Sequence, residues 1–97
     1  MNSLKSINEI LKAHKEDLYR KYSVVEIGIF GSIVRGEEKK RSDIDILVDF
    51  EEVPDLLKFI NLERYLSRLL KKKVDLVSKK AIRPELKNSI LGEVAYI

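Results

Sequence analysis

The sequence lacks residue types on which many active sites are built. It contains no cysteine and only one histidine, His14. The absence of cysteine excludes a disulfide scaffold, a cysteine-ligated zinc site and thiol catalysis. A single histidine argues against a histidine-rich metal site and against a serine–histidine pair. Any metal bound by this chain would be held mainly by carboxylates, which favours a hard cation such as Mg²⁺ or Mn²⁺.

Long apolar segments are also missing. No run approaches the ~20 apolar residues that a membrane-spanning helix needs, and charged residues interrupt the first segment, 1–17, which argues against a signal peptide. We therefore expect a cytoplasmic protein with no membrane partner. The 97 residues are 44% hydrophobic and 36% charged. This predicts one globular domain, 1–97, with a single core and no separate domain for substrate recognition.

The balance of charge is mild, but its distribution is uneven. Basic residues number 19 against 16 acidic ones, a formal net charge of +3. Six basic residues fall within 71–83, namely Lys71, Lys72, Lys73, Lys79, Lys80 and Arg83. A run of this kind is commonly a solvated surface. The alternative is a surface that binds a phosphate-bearing or acidic partner.

The apolar pattern predicts alternating helices and strands. Helices are expected over 3–21, from Pro54 to about Lys71, and from Pro84 with Gly92 as a C-terminal cap; the segment from Ile33 to Gly36 is a short turn or helix. Strands are expected at 24–30, 42–50, 74–77 and 94–97. His14 falls on the apolar stripe of the first helix, which is typical of a packed or boundary residue.

This order of elements indicates an α+β fold. Three or four strands with helices mainly on one face form a two-layer domain. The connection between the first two strands has only about a dozen residues, about the minimum for a parallel crossover, so we expect a mixed sheet.

Two aspartates at the start of the second strand are candidates for metal binding. The period of two in 42–50 places Asp43 and Asp45 on one face, with Asp49 farther along. Carboxylates at positions i and i+2 have Cα atoms ~6.5–7 Å apart. They repel each other, and a divalent cation between them would remove the repulsion and gain two oxygen ligands. The alternative is a solvated polar face.

A glycine–serine pair precedes these aspartates. Gly31 and Ser32 follow the first strand, and ten residues separate Ser32 from Asp43. Such a turn offers backbone N–H groups and a hydroxyl to phosphate oxygens, although a serine-capped turn is also common. Together the two motifs indicate a triphosphate held by the turn, with its magnesium on the strand. Asp75, in the third strand, is the candidate third carboxylate; the alternative is an exposed residue of an edge strand.

The stretch GSIVRGEEKKRSDIDILVDF, residues 31–50, resembles the signature of the minimal nucleotidyltransferases in the DNA polymerase beta-like nucleotidyltransferase superfamily. Val34 replaces the usual alanine, which concerns packing. The strand before Gly31 and the V-D-L-V strand extend the resemblance over most of the chain. It implies a polymerase-beta-like palm that binds ATP and two divalent ions, Mg²⁺ or alternatively Mn²⁺.

The resemblance also assigns roles to residues. Asp43 and Asp45 would be metal ligands, and Asp75 the third ligand and general base. Gly31 and Ser32 would hold the β- and γ-phosphates. Arg35 would reach a phosphate, or else form a salt bridge to the acidic loop, the charged segment from Glu37 to Arg41. Ser42, grouped with the nucleotide-binding residues, would cap or brace the Asp43 strand.

The resemblance further implies a partner. Stand-alone proteins similar to this one are typically antitoxins that pair with a HEPN-type RNase toxin and neutralise it by transferring AMP to a toxin tyrosine. Two alternatives stay open: an antitoxin that blocks the toxin by stoichiometric binding without chemistry, and a nucleic-acid-binding subunit that uses 71–83. Nucleic acid is not the expected partner. The acceptor residue, the base preference and the oligomeric state, homo- or hetero-oligomeric, are left open.

Overall fold

The structure, a computed structural model, describes residues 4–37 and 43–97, and its elements follow the predicted order. The helices are α1 (Leu4–Ala13), α2 (Lys15–Tyr22), α3 (Ser32–Arg35), α4 (Leu56–Leu70) and α5 (Pro84–Glu93), with a 3₁₀ turn at Lys79–Ala81. The strands are β1 (Val24–Phe30), β2 (Ile44–Phe50), β3 (Val74–Ser78) and β4 (Ala95–Tyr96).

The four strands form one mixed sheet in the order β3-β2-β1-β4. Strand β1 is antiparallel to both β2 and β4, whereas β2 and β3 are parallel. Helix α4 is the crossover that a parallel pair requires. The predicted α+β fold with a mixed sheet is therefore confirmed, and β4 is the predicted final edge strand.

One face of the sheet carries the hydrophobic core. In β2 the side chains of Ile44, Ile46 and Val48 are at most 1% exposed, and they share a face because successive residues of a strand point to opposite sides. The helices cover this face with apolar side chains spaced four or seven residues apart along 7–18 and 62–70: Ile7, Leu11, Leu18, Leu62, Leu66 and Leu70. The opposite face of β2 carries Asp45 and Asp49. The candidate site lies on this face, away from the helices that cover the core.

The helix predicted over 3–21 is two helices that separate at His14. The backbone N–H of His14 donates to the Leu11 carbonyl at 3.1 Å, three residues back. The φ and ψ of His14, −109° and 8°, lie outside the helical range. The ring Nδ1 lies 2.8 Å from the Ile10 carbonyl oxygen, and the imidazole thus satisfies the carbonyl that loses its helical partner. His14 is half-buried, as expected for a boundary residue.

Helix α4 begins two residues later than predicted. Pro54 was expected in the first turn, but the helix starts at Leu56 with Asp55 as its N-cap. The Asp55 carboxylate accepts a hydrogen bond from the Lys58 N–H at 2.8 Å, which satisfies a backbone donor that has no partner inside the helix. Asp55 thus acts as a cap, and Pro54 precedes the helix.

Helix α5 is loosely packed. It lies wholly within the described part of the chain and buries none of its residues. The prediction of Gly92 as its cap is wrong, because the helix continues to Glu93 and ends at Val94 with φ −63°. Among the described glycines, only Gly31 and Gly36 have the positive φ that a left-handed cap uses. In residues 4–37 and 43–97, no helix has the length and apolarity needed to cross a membrane.

Candidate active site

The sheet topology brings the predicted site residues to one edge. Because β1 and β2 are antiparallel, the end of β1 lies beside the start of β2, and Phe30 is opposite Asp45. Because β2 and β3 are parallel, their starts lie side by side, and Asp45 is in register with Asp75. Adjacent strands are about 4.8 Å apart. Asp45 is therefore flanked by the Gly31 turn on one side and by Asp75 on the other.

The Gly31 turn packs directly against Asp45. Gly31 has φ 83° and caps the four-residue helix α3 that begins at Ser32. A Cβ at position 31 would collide with Oδ2 of Asp45 and lie 2.9 Å from its Cγ. Only glycine therefore meets both the backbone conformation and the close approach to the carboxylate.

The carboxylates at this edge repel one another. Burial raises the pKa of Asp45 to about 6, and the charges of Asp75 and Asp43 add to the increase, while the charge of Arg35 opposes it. Ionisation of a half-buried carboxyl group is unfavourable when two other carboxylates lie nearby. Positive charge at this point, from a metal ion or from protein groups, would remove that penalty.

Side chains of α4 hold the strand that carries Asp75. Strand β3 is at the edge of the sheet, and its outward N–H groups have no strand partner. The N–H of Val74 donates to the Ser67 hydroxyl and that of Leu76 to the Glu63 carboxylate, both at 3.0 Å. These two bonds flank Asp75, whose side chain is exposed. Glu63 was missed from the sequence, because its place in the helical pattern of α4 gives no sign of this contact.

Asp43 precedes β2 by one residue and is more exposed than Asp45. Its Oδ2 lies 3.9 Å from Nζ of Lys73, a pair that water screens. Asp49 lies farther along β2, opposite Glu26, as its position on the same face predicted. Ser42 lies outside the described residues.

Arg35 and Glu93 form an ion pair at the rim of the Gly31 turn. Arg35 Nη1 lies 3.1 and 3.0 Å from the two Glu93 oxygens, and its Nε donates to Glu37 at 2.8 Å. The salt bridge to the acidic loop, given above as the alternative for Arg35, is therefore present, and contact with a phosphate stays a prediction. Hydrogen bonds to both glutamates raise the Arg35 pKa above its ordinary value. Glu93 was missed from the sequence, because it follows Gly92 near a helix end without any motif.

The donor set suits a hard cation, although the side chains are not gathered into a metal cage. Within the described ranges, no three acidic or histidine side chains already form a metal-binding group. Asp43, Asp45 and Asp75 nevertheless converge on one edge, and Asp45 carries the charge penalty that a cation would relieve. Carboxylate oxygens are the ligands that Mg²⁺ and Mn²⁺ prefer.

Two other features lie apart from this constellation. Within the basic segment 71–83, Lys73 lies 3.9 Å from Asp43 and Lys79 pairs with Glu26 at 2.7 Å, so both lysines have an acidic neighbour in the same chain. An apolar groove of about 420 Å³ lies between the start of α4 and the end of β3, lined among others by Phe50, Leu56 and Leu76. Its apolar lining does not suit a triphosphate.

Comparison with known proteins identifies the family of this chain. Residues 8–97 match the family model of the nucleotidyltransferase domain. A Thermococcus cleftensis protein named protein adenylyltransferase MntA is 54% identical over 97 residues, covering 100% of this chain and 98% of that protein. A Methanocaldococcus jannaschii relative is 52% identical over 98 residues and covers 100% of both chains.

Solved structures show the same fold. One named as a candidate minimal nucleotidyltransferase has a TM-score of 0.81 at 34% identity and covers 97% of this chain and 95% of that chain. A toxin–antitoxin complex with AMP-PNP has a TM-score of 0.75 at 26% identity, with coverage of 93% and 70%. A Shewanella oneidensis complex of a tri-AMPylated HEPN toxin with an MNT antitoxin shares the fold at 23% identity and a TM-score of 0.66, with coverage of 93% and 66%. This chain is a nucleotidyltransferase and belongs to the nucleotidyltransferase domain family, among its minimal members.

Proposed function

We propose that this nucleotidyltransferase is a Mg²⁺-dependent protein adenylyltransferase that acts as an antitoxin, transferring AMP from ATP to a HEPN-type toxin in the cytoplasm. One observation carries the proposal: Asp45 lies between the Gly31 turn and the in-register Asp75. The name of the Thermococcus relative, a protein adenylyltransferase, supports protein as the acceptor. The toxin–antitoxin complex with AMP-PNP supports a toxin partner and an adenine nucleotide.

The Gly31 turn is the proposed phosphate site. The Gly31 N–H and the Ser32 hydroxyl would donate to the β- and γ-phosphate oxygens, and the absence of a Cβ at position 31 lets the chain approach closely. Arg35 lies on the last turn of α3 with half of its side chain exposed, so its guanidinium can reach the same phosphates.

The three carboxylates are the proposed metal ligands. Asp43, Asp45 and Asp75 would hold two Mg²⁺ ions, with Mn²⁺ as an alternative. Bound ions of this kind neutralise phosphate charge and favour ionisation of the attacking hydroxyl. The repulsion that raises the Asp45 pKa makes the empty arrangement unfavourable and so favours cation binding.

Asp75 is the proposed general base. Its side chain is exposed, so a hydroxyl from another protein can approach it. The hydroxyl oxygen attacks the α-phosphorus of ATP, and a new P–O bond forms. The bond from that phosphorus to the oxygen bridging to the β-phosphate breaks, and pyrophosphate leaves with the electron pair. Asp75 accepts the hydroxyl proton.

A transfer experiment tests the proposal. The purified chain is incubated with the HEPN-type toxin and ATP labelled at the α-phosphate, with Mg²⁺ or with EDTA. We expect label on the toxin only with Mg²⁺, and none when the label is at the γ-phosphate. Asp43→Asn and Asp45→Asn should each lower labelling more than about a hundredfold, because even indirect partners of a metal ligand contribute 10–100-fold.

A matched variant and a growth assay exclude neutralisation by binding alone. Asp49→Asn removes the same charge from the same face of β2 and should label the toxin as wild type does. The Asp43→Asn/Asp45→Asn double variant should fail to rescue cells that express the toxin. Full rescue by the double variant, with no label on the toxin, would instead support stoichiometric blocking and contradict the proposal.

A further inference from the structure

A glutamate from α5 occupies donors that the proposed phosphate site needs. Oε1 of Glu93 accepts a hydrogen bond from the Gly31 N–H at 2.9 Å. The two carboxylate oxygens of Glu93 also lie 3.1 and 3.0 Å from Nη1 of Arg35. Glu93 is 62 residues from Gly31 in sequence, so the contact is made by tertiary structure. The fold thus places an anion of its own where the phosphates of ATP are expected.

Glu93 and a phosphate compete for these groups. Gly31 has a single backbone N–H, which can serve one acceptor well. A carboxylate and a phosphate that share Arg35 at contact distance would repel each other. The Glu93 side chain is 25% exposed, so it can swing into solvent. Glu37 differs, because it contacts Nε of Arg35 and does not engage the Gly31 N–H.

We propose that Glu93 is an internal anion that holds the Gly31 turn and Arg35 in the nucleotide-free protein and is displaced by the phosphates of ATP. The inference rests on the proposed function, which assigns phosphate binding to the turn. It adds a regulatory feature: the affinity for ATP is set by competition with a side chain of the same protein.

Displacement of Glu93 also loosens the C-terminal helix. Helix α5 buries none of its residues, and Leu86 on its surface is 48% exposed. The bonds of Glu93 to Gly31 and Arg35, together with the pairing of β4 with β1, attach the end of α5 to the sheet. Segments with few buried contacts open at a low cost in free energy. ATP binding is therefore coupled to the opening of α5.

Calorimetric titration with MgATP, without toxin, tests the competition. Glu93→Gln keeps an oxygen that can accept from Gly31 but removes the charge. We expect the variant to bind ATP about tenfold more tightly, because charge-assisted hydrogen bonds of the competitor become ordinary ones. Inorganic tripolyphosphate should show the same gain, since the competition concerns phosphate. Glu85→Gln removes a charge from the exposed first turn of α5 and should bind as wild type does.

The titration tests the Glu93 competition and the proposed function separately. ATP binding by the variant that equals or falls below that of wild type overturns the inference and leaves the proposed function standing. ATP binding by Glu93→Gln, with none detected for wild type, supports the inference. Absence of binding by both proteins, each shown to be folded by its melting transition, overturns the proposed function and the inference with it.

Amide hydrogen exchange provides a second readout that does not depend on affinity. In the wild type, saturating MgATP should speed exchange in α5, because the bonds of Glu93 to the turn are lost. In Glu93→Gln, exchange in α5 should already be faster without ATP and should change less when ATP is added. Exchange in α5 that slows on ATP binding in the wild type would contradict displacement.

Discussion

Strand β2 and helix α5 each bring a carboxylate to the same site, but the fold holds the two elements differently. β2 lies between two strands, and its inward side chains are at most 4% exposed. α5 buries none of its residues and touches the site through Glu93. A ligand for a metal ion needs a fixed position, whereas a group that must leave when substrate arrives needs freedom to move. The difference in packing matches the roles proposed for Asp45 and Glu93.

Truncation of one apolar residue in each region gives the largest expected difference between them. Leu66 of α4, which covers β2, is fully buried, and Leu66→Ala should lower the free energy of unfolding by about 2–5 kcal/mol. Leu86 of α5 is 48% exposed, and Leu86→Ala should change the free energy of unfolding by no more than about 0.5 kcal/mol. Urea unfolding measures both. Equal losses would show that α5 is packed as firmly as α4.

The two glycines with positive φ test how closely the Gly31 turn packs against Asp45. Gly31→Ala and Gly36→Ala each force alanine to adopt a positive φ, at about 1–3 kcal/mol. Gly36 is left-handed, whereas Gly31, with ψ −154°, lies in a region that is essentially restricted to glycine. A Cβ at Gly31 would also collide with Asp45, whereas one at Gly36 meets no atom within 4 Å. We therefore expect Gly31→Ala to lose about 1–3 kcal/mol more than Gly36→Ala in urea unfolding. Equal losses would mean that Asp45 moves aside freely.

A smaller effect concerns the charge of Asp45. Its folded-state pKa is raised from 3.8 to about 6, so the folded protein binds a proton more tightly than the unfolded chain does. The contribution of Asp45 to stability therefore falls as pH rises from 3.8 to about 6 and stays unfavourable above that range. In EDTA at pH 8, Asp45→Asn should melt higher than wild type, and the gain should shrink as pH falls through this range.

Screening limits the size of this effect. Asp45 is only half-buried, so water weakens its repulsion by Asp75 and Asp43. We expect the gain in Tm at pH 8 to stay below about 4–8 °C, the response of a domain of this size to ~1 kcal/mol. A variant that melts lower than wild type at pH 8 would show that the ionised Asp45 stabilises the fold without a metal.

The parts of the fold that rest on local patterns could be predicted from the sequence. Strands β1, β2 and β3 carry β-branched runs or a period of two, and the pairing of Gly31 with the downstream aspartates follows from spacing. The break at His14 could not be predicted, because the apolar stripe continues through it and the ring bond to Ile10 arises only in the folded helix. The prediction of Gly92 as a cap failed for a similar reason, since the helix ends at Val94 as the chain enters β4.

The parts of the site that rest on register could not be derived from the sequence. The alignment of Asp45 with Asp75 depends on how β3 docks beside β2 and on the bonds from Ser67 and Glu63 to β3. A shift of one residue would have turned Asp75 to the other face. Glu93 reaches Gly31 across 62 residues through the packing of α5 and β4, and no local signal marks that contact.

Mn²⁺ binding tests whether Asp45 and its neighbours form a cation site at one edge of the sheet. Electron paramagnetic resonance measures free Mn²⁺ in a titration of wild type, Asp45→Asn and Asp49→Asn. Loss of a direct ligand should weaken binding at least about tenfold, since indirect partners alone contribute 10–100-fold. We expect this loss in Asp45→Asn and wild-type binding in Asp49→Asn. Binding of Mn²⁺ by Asp45→Asn as tight as that of wild type would contradict the account.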